Sequence, residues 1–135
     1  MKKLALLLVA LSLFGMDRGL MSKLGIQEKG VYVIDFFASW CHSCQKELPL
    51  LNAMDSVQII GVDVDENMDD GKAFVKKLGL KFKVIYDPKG EIVSKFDPPG
   101  IPALYIIKDG EVVHSIIGAR PHIDKDLAKI LKELR

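Results

Sequence analysis

Apolar residues change their spacing repeatedly along this chain, and each change predicts an element. Lys2 and Lys3 precede an apolar run over residues 4–11 that continues through Leu13 and Phe14 to Gly15, Asp17 and Arg18. A basic start followed by such a run has the form of a secretory signal, and it falls short of the roughly 20 apolar residues of a spanning helix. Residues 1–15 are therefore expected to be a signal peptide or short anchor, and 16–135 the folded domain. The other use for the run is a first strand buried against the sheet.

Leu20, Met21 and Leu24 then recur at helical spacing, with Gly25 as a stop. Residues 31–38, VYVIDFFA, are apolar on both alternations, as a strand covered on both faces is. A helix that starts at Cys41 is expected to continue over 45–54, with Leu48, Leu51 and Met54 on one face and a kink at Pro49, which removes a backbone donor. A second core strand follows over 57–64. Next comes a helix over 72–78 with Phe74, Val75 and Leu78 inward and Gly79 at its C′ position. A short strand over 81–87, a turn at Asp87-Pro88-Lys89-Gly90 and a brief helix over 91–96 follow. Residues 103–107 and 111–117 alternate like strands and are joined through Asp109-Gly110, a hairpin signal. The stretch 121–134 closes the chain as a helix carrying Leu127, Ile130, Leu131 and Leu134.

The order strand, helix, strand, helix, strand, hairpin, helix predicts an α/β domain. Crossover helices force parallel neighbours, which gives a mixed central β-sheet flanked by helices on both faces. The chain has 135 residues, 49% of them hydrophobic, and a net charge of +1, with no repeat or low-complexity tract. One domain of ordinary size fits this, and nothing in the charge suggests nucleic acid.

The candidate chemistry lies at the end of the first strand, where residues 35–44 read DFFASWCHSC. With Cys41 at the N-terminal edge of a helix and Cys44 one turn on, the two side chains share a face within disulfide reach. The helix N-terminus favours the Cys41 thiolate. Cys41 is the expected nucleophile and Cys44 the resolving thiol, acting through a mixed disulfide with a substrate sulfur. The same pair is also half of a zinc site, with His42, His114 and His122 as partners, but no second Cys pair exists and His42 inside the motif would strain a shared tetrahedron. A purely structural disulfide across two residues would constrain little. Redox chemistry is favoured, with no metal and no cofactor expected.

Two acids flank the pair. Asp35 shares a strand face with Val31, Val33 and Phe37, so its carboxyl points into a core unless the strand end leaves it solvated. Glu47 returns to the face of Cys44 three residues on, either as a second acid near the sulfurs or as a solvated helix residue. Before the hairpin stands Pro98-Pro99-Gly100-Ile101-Pro102, in which the X–Pro bonds are cis or trans at modest cost.

The runs FFASWCHSCQKELPLLN, IIGVDVDEN, KLGLKFKVIYDPKGEIVSKF, GIPALYIIKDGEVV and IIGARP together resemble the thioredoxin superfamily, and within it the TlpA/ResA/CcmG group of exported bacterial thiol–disulfide oxidoreductases. The resemblance implies a thioredoxin fold with a TlpA-type helix-strand insertion near 69–86. It matches Trp40, Cys41 and Cys44 to the W-C-x-x-C motif, Asp35 and Glu47 to acids at the active site, and Pro102 to a cis-proline whose loop, through Ile101, pairs with the substrate backbone. The dipeptide His42-Ser43 departs from the group, as does Ala103 after the proline, and this leaves the redox potential open; His42 would favour the thiolate by charge or hydrogen bond. The resemblance further implies disulfide-containing or dithiol protein substrates contacted by Trp40, His42, Ser43, Ile101 and Pro102, a membrane electron donor of the CcdA/DsbD type, and a monomer. It implies a periplasmic location, with a cytoplasmic one as the alternative, and a role as a reductase such as one of cytochrome c maturation. An oxidant or isomerase of exported proteins, and a non-enzymatic metal-binding module, are the other readings.

Overall fold

A computed structural model describes residues 15–134. The expected leader therefore lies outside the described residues except for Gly15. The elements in order are α1 (Arg18–Leu24), β1 (Val31–Phe37), α2 (His42–Asn52), β2 (Ile59–Asp63), α3 (Met68–Leu78), β3 (Lys83–Tyr86), α4 (Val93–Phe96), β4 (Ala103–Lys108), β5 (Glu111–Ile117) and α5 (Ile123–Glu133). They build one five-stranded sheet in the order β3-β2-β1-β4-β5. β1 runs parallel to β2, and β2 to β3, because a helix crosses over between each pair; β4 and β5 are antiparallel. The mixed sheet expected from the element order is the one found, and the 69–86 segment supplies α3 and the edge strand β3.

Alternation along β1 divides the core in two. Val33 and Phe37 pack on one face with Leu48 and Leu51 of α2, Phe74 of α3, and Ile123, Leu127 and Leu131 of α5. Tyr32, Ile34 and Phe36 pack on the other with Leu20, Met21 and Leu24 of α1 and with Ile92. Helices therefore cover both faces, which is why β1 reads as an unbroken apolar run. On the second face Phe36, Phe96 and Tyr105 meet with ring centroids 4.9–5.9 Å apart.

Element ends are set by caps and turns more than by periodicity. α2 begins at His42 with Cys41 as its N-cap, the helix edge expected for that cysteine, and it runs on through Pro49. α3 begins at Met68 because the Asn67 side chain accepts from the Asp69 N–H, and it ends on Gly79 in the left-handed conformation at φ 62°. β2 starts only at Ile59, after Ser56 turns the chain at φ 64°.

Gly61 sits where a side chain has no room. A Cβ there would meet the Phe37 ring at 2.7 Å and the Phe82 ring at 2.8 Å. Gly61→Ala should therefore cost about 1–3 kcal/mol, the usual cost of overpacking a core. Urea unfolding checks this, and a loss within error of zero would mean that the two rings yield freely.

Candidate active site

The parallel pair β1–β2 ends at one edge of the sheet, and the chain leaving β1 builds the site there. After Phe37 a turn closes with the Cys41 N–H donating to the Ala38 carbonyl at 3.1 Å. Cys41 then takes the N-cap position of α2 in extended conformation, and its Sγ accepts the Cys44 N–H at 3.2 Å. The two cysteines are disulfide-bonded, with Cα atoms 5.3 Å apart. The pair is asymmetric: Cys41 is 6% exposed and Cys44 fully buried. Solvent or a partner reaches the first sulfur before the second. Trp40, 69% exposed, and His42, also exposed, flank Cys41, and the Ser43 Oγ lies 3.6 Å from its sulfur.

Both expected acids lie in the interior. Asp35 is 1% exposed and on the β1 face of Val33 and Phe37, the face that packs against both cysteines. Neither of its carboxyl oxygens has a hydrogen-bond partner among the described residues. Burial, and then the negative charge of Glu47, hold the Asp35 carboxyl well above its ordinary range and favour its neutral form. Glu47 is also buried, and its Oε2 accepts the Arg120 N–H at 2.9 Å. Burial raises its pKa, against the hydrogen bond and charge of Arg120, which lower it. The solvated placements open to these two residues in the sequence are not the ones adopted.

The Ile101–Pro102 bond is cis. The antiparallel register sets Ala103 opposite Phe36, so Pro102 stands at the sheet edge from which the cysteine turn emerges. Ile101 is half-buried against the core cluster that contains both cysteines. Beside α2 a groove of about 360 Å³ is lined by Ser43, Lys46, Glu47 and Leu50 and, across from them, by Ala119, Arg120 and Pro121. Among the described residues no three His, Cys, Asp or Glu side chains converge as metal ligands. His42, His114 and His122 are thus not assembled with the cysteines.

Three polar residues here had gone unremarked in the sequence. Ser39, two residues before Cys41, donates from its N–H and its hydroxyl to the two carboxylate oxygens of Asp65, at 2.9 and 2.6 Å. Asp63, at the end of β2, is fully buried behind Asp65. The signal available was the alternation of IIGVDVD, which puts Asp63 on the inward face of Ile59.

The model of the AhpC/TSA family matches residues 19–116. The chain belongs to this family. It is 36% identical over 111 residues to the thiol–disulfide oxidoreductase ResA of Bacillus thuringiensis subsp. konkukian, an alignment covering 76% of this chain and 64% of that one. The chain thus spans just under two thirds of the length of that curated relative. Among solved structures it is similar to a DsbE-type thiol:disulfide interchange protein of Chlorobium tepidum, with a TM-score of 0.74, 28% identity and coverage of 90% and 92%. StoA of Bacillus subtilis matches with a TM-score of 0.65 and 28% identity over 75% of this chain and 82% of that one. The fold is the thioredoxin fold.

Asp35 gives a pH dependence of known sign. Its pKa is raised in the folded state, and in the unfolded chain it is about 3.9. Between those values the folded protein binds the proton more tightly than the unfolded one, so stability falls as pH rises through that window. Asp35→Asn should remove this slope and stabilise the oxidised protein at neutral pH, by a margin that grows with pH. Denaturant unfolding of both proteins across the acid-to-neutral range reads it, and parallel profiles would refute a buried, proton-bearing Asp35.

Proposed function

We propose that this chain is a thiol–disulfide oxidoreductase that works as a disulfide reductase on exported proteins. The asymmetry of the cysteine pair carries the reading. Cys41 caps a helix and keeps 6% of its surface exposed, while Cys44 is fully buried, against the face of β1 that carries Asp35. The relatives named ResA and DsbE support it.

In the reducing direction the Cys41 thiolate attacks one sulfur of a substrate disulfide. The substrate S–S bond breaks, a mixed disulfide forms, and the departing substrate sulfur takes up a proton. Cys44 then loses its proton and attacks the Cys41 sulfur, which releases the second substrate thiol and closes the Cys41–Cys44 bond. Two electrons have passed to the substrate, and a thiol donor must supply two more before the next turn. Asp35 and Glu47 are the groups placed to exchange the Cys44 proton. Trp40, His42 and Ser43 on one side and Ile101-Pro102 on the other form the contact surface for the substrate chain. The groove beside α2, which reaches Ser43 next to the cysteine pair, offers the substrate chain a largely apolar wall.

The apolar run at residues 4–14 supports export to the periplasm, where a membrane donor of the CcdA/DsbD type would keep the pair reduced and where cytochrome c apoprotein thiols are a fitting substrate. No helix among the described residues is long and apolar enough to cross a membrane.

Two measurements test the proposal. Cys41→Ser should abolish exchange, whereas Cys44→Ser should accumulate mixed disulfides with substrate proteins, seen as reducible adducts on a gel; adducts from neither variant would count against the assigned roles. The reduction potential of the pair, titrated against dithiothreitol, should lie near or below about −250 mV, in the range of thioredoxin. A value near roughly −120 mV, that of a strong oxidant, would instead make the protein an oxidase of exported thiols.

A further inference from the structure

The register of the parallel pair β1–β2 outlasts its backbone ladder. Phe37 and Asp63 are the last residues that pair, and the Val64 N–H still donates to the Phe37 carbonyl at 2.9 Å. Two residues further along each strand, at the unchanged spacing of 26 positions, the Asp65 carboxylate takes over. One of its oxygens accepts the Ser39 N–H at 2.9 Å and the other accepts the Ser39 hydroxyl at 2.6 Å. A side chain thus continues the ladder where the backbones part, and the turn leaving β1 stays tied to the loop leaving β2.

The tie is shielded as well as doubled. Asp65 is 3% exposed, so water competes little for its oxygens. Burial works to raise the Asp65 pKa, but the hydrogen bonds it accepts, those of Ser39 among them, outweigh burial and hold the carboxyl below its ordinary range. The acceptor is therefore an anion at neutral pH, and hydrogen bonds to an ionised group are the strong ones.

The residue that depends on this tie is Trp40 rather than Cys41. Cys41 has anchors of its own: its N–H donates to the Ala38 carbonyl at 3.1 Å, its carbonyl accepts the Gln45 N–H at 3.2 Å, and its sulfur accepts the Cys44 N–H at 3.2 Å. The Trp40 side chain is 69% exposed, so its place is set chiefly by the backbone, through Ser39 before it and Cys41 after it. A large apolar ring held out beside a reactive sulfur suits contact with a partner chain, and a contact residue that is already ordered loses less entropy when it binds.

We propose that Ser39 and Asp65 are positioning residues that clamp the turn under Trp40, and that this clamp sets the preference of the cysteine pair for protein disulfides over small ones. The proposal deepens the thiol-exchange reading and rests on it for its kinetic part. The clamp itself stands on the two hydrogen bonds.

Trp40 is the single tryptophan of the chain, so its anisotropy decay in the oxidised protein reads local motion of the turn. Ser39→Ala removes one of the two bonds and Asp65→Ala removes both; each should add a fast local component, larger in Asp65→Ala, while Ser39→Thr keeps the hydroxyl and should resemble the wild type. In the reduced protein, Ser39→Ala should lower the second-order rate constant with insulin disulfides by about tenfold, the worth of one hydrogen bond to a charged group. Its rate with hydroxyethyl disulfide, which has no chain to rest on the indole, should stay within about twofold of the wild type, and Ser39→Thr should restore the insulin rate. An equal loss with both disulfides would mean that the clamp serves the sulfur or the fold as a whole, and overturns the preference; so does an insulin rate like that of the wild type. Anisotropy decays unchanged in both alanine variants overturn the clamp. Should Asp65→Ala fail to fold, the two Ser39 variants decide. A wild type that exchanges neither disulfide sinks the proposed function, and the anisotropy series still decides the clamp.

Discussion

The site depends on a sulfur atom in the position where helices usually carry an oxygen. Ser, Thr, Asp and Asn are the common N-caps because their side-chain oxygens accept a backbone N–H that the first turn leaves without a partner. Here the Cys41 Sγ accepts the Cys44 N–H. One contact therefore serves the start of α2 and the electron density of the reactive sulfur together, and the effect is greatest when that sulfur is a thiolate. It also sets the spacing of the pair, since the residue whose N–H reaches the cap is the one whose own sulfur bonds to it. Shifting the start of α2 by one residue would separate the two functions.

Holding the cap in place requires the end of β1 to be rigid, and most of that rigidity is apolar. β1 is buried on both faces between α2, α3 and α5 on one side and α1 and Ile92 on the other. Against this background the buried acids are a liability. Asp35, Glu47 and Asp63 all have raised pKa values, and for each the first cause is burial. An apolar residue of like size would not incur that cost. All three lie near the C-terminal ends of β1 and β2 or along the first turns of α2, at the edge where the cysteines are presented. Acids with raised pKa values gathered at one edge are what a site for proton movement requires.

How much of this was readable in the sequence follows from how local each feature is. The cysteine spacing, the apolar β1, the Asp109-Gly110 hairpin and the Gly79 stop are written in a few adjacent residues, and the structure places them as expected. Element ends were less legible, because they turn on side-chain caps such as Asn67 that periodicity does not register. Glu47 could be read either way, since its burial is decided by Arg120, 73 positions distant, closing over it. Asp63 and Asp65 were missed for a related reason. At the end of a strand, acids ordinarily reach solvent, and only the passage of α3 across β2 at Gly71 encloses Asp63. A glycine in the interior of a helix was the available clue, and it has meaning only once the partner strand is known.

The oxidised state of the pair fixes the proton inventory from which exchange must start. With the disulfide closed, Cys44 has no proton, and burial favours the neutral forms of Asp35 and Asp63, whose carboxyl oxygens have no hydrogen-bond partner among the described residues. Reduction of the pair brings a thiol to Cys44 on the β1 face that carries Asp35. Under the proposed mechanism only the ionised Asp35 could take the Cys44 proton, and burial disfavours that form, so a proton taken up there would be held firmly. Asp63 is buried as fully, against Gly71 of α3 at the end of β2, and its pKa too is raised first by burial. Of these two acids it is Asp35 that lies on the β1 face packed against both cysteines, so an exchange of protons with Cys44 falls to Asp35 by position and not by the size of its shift.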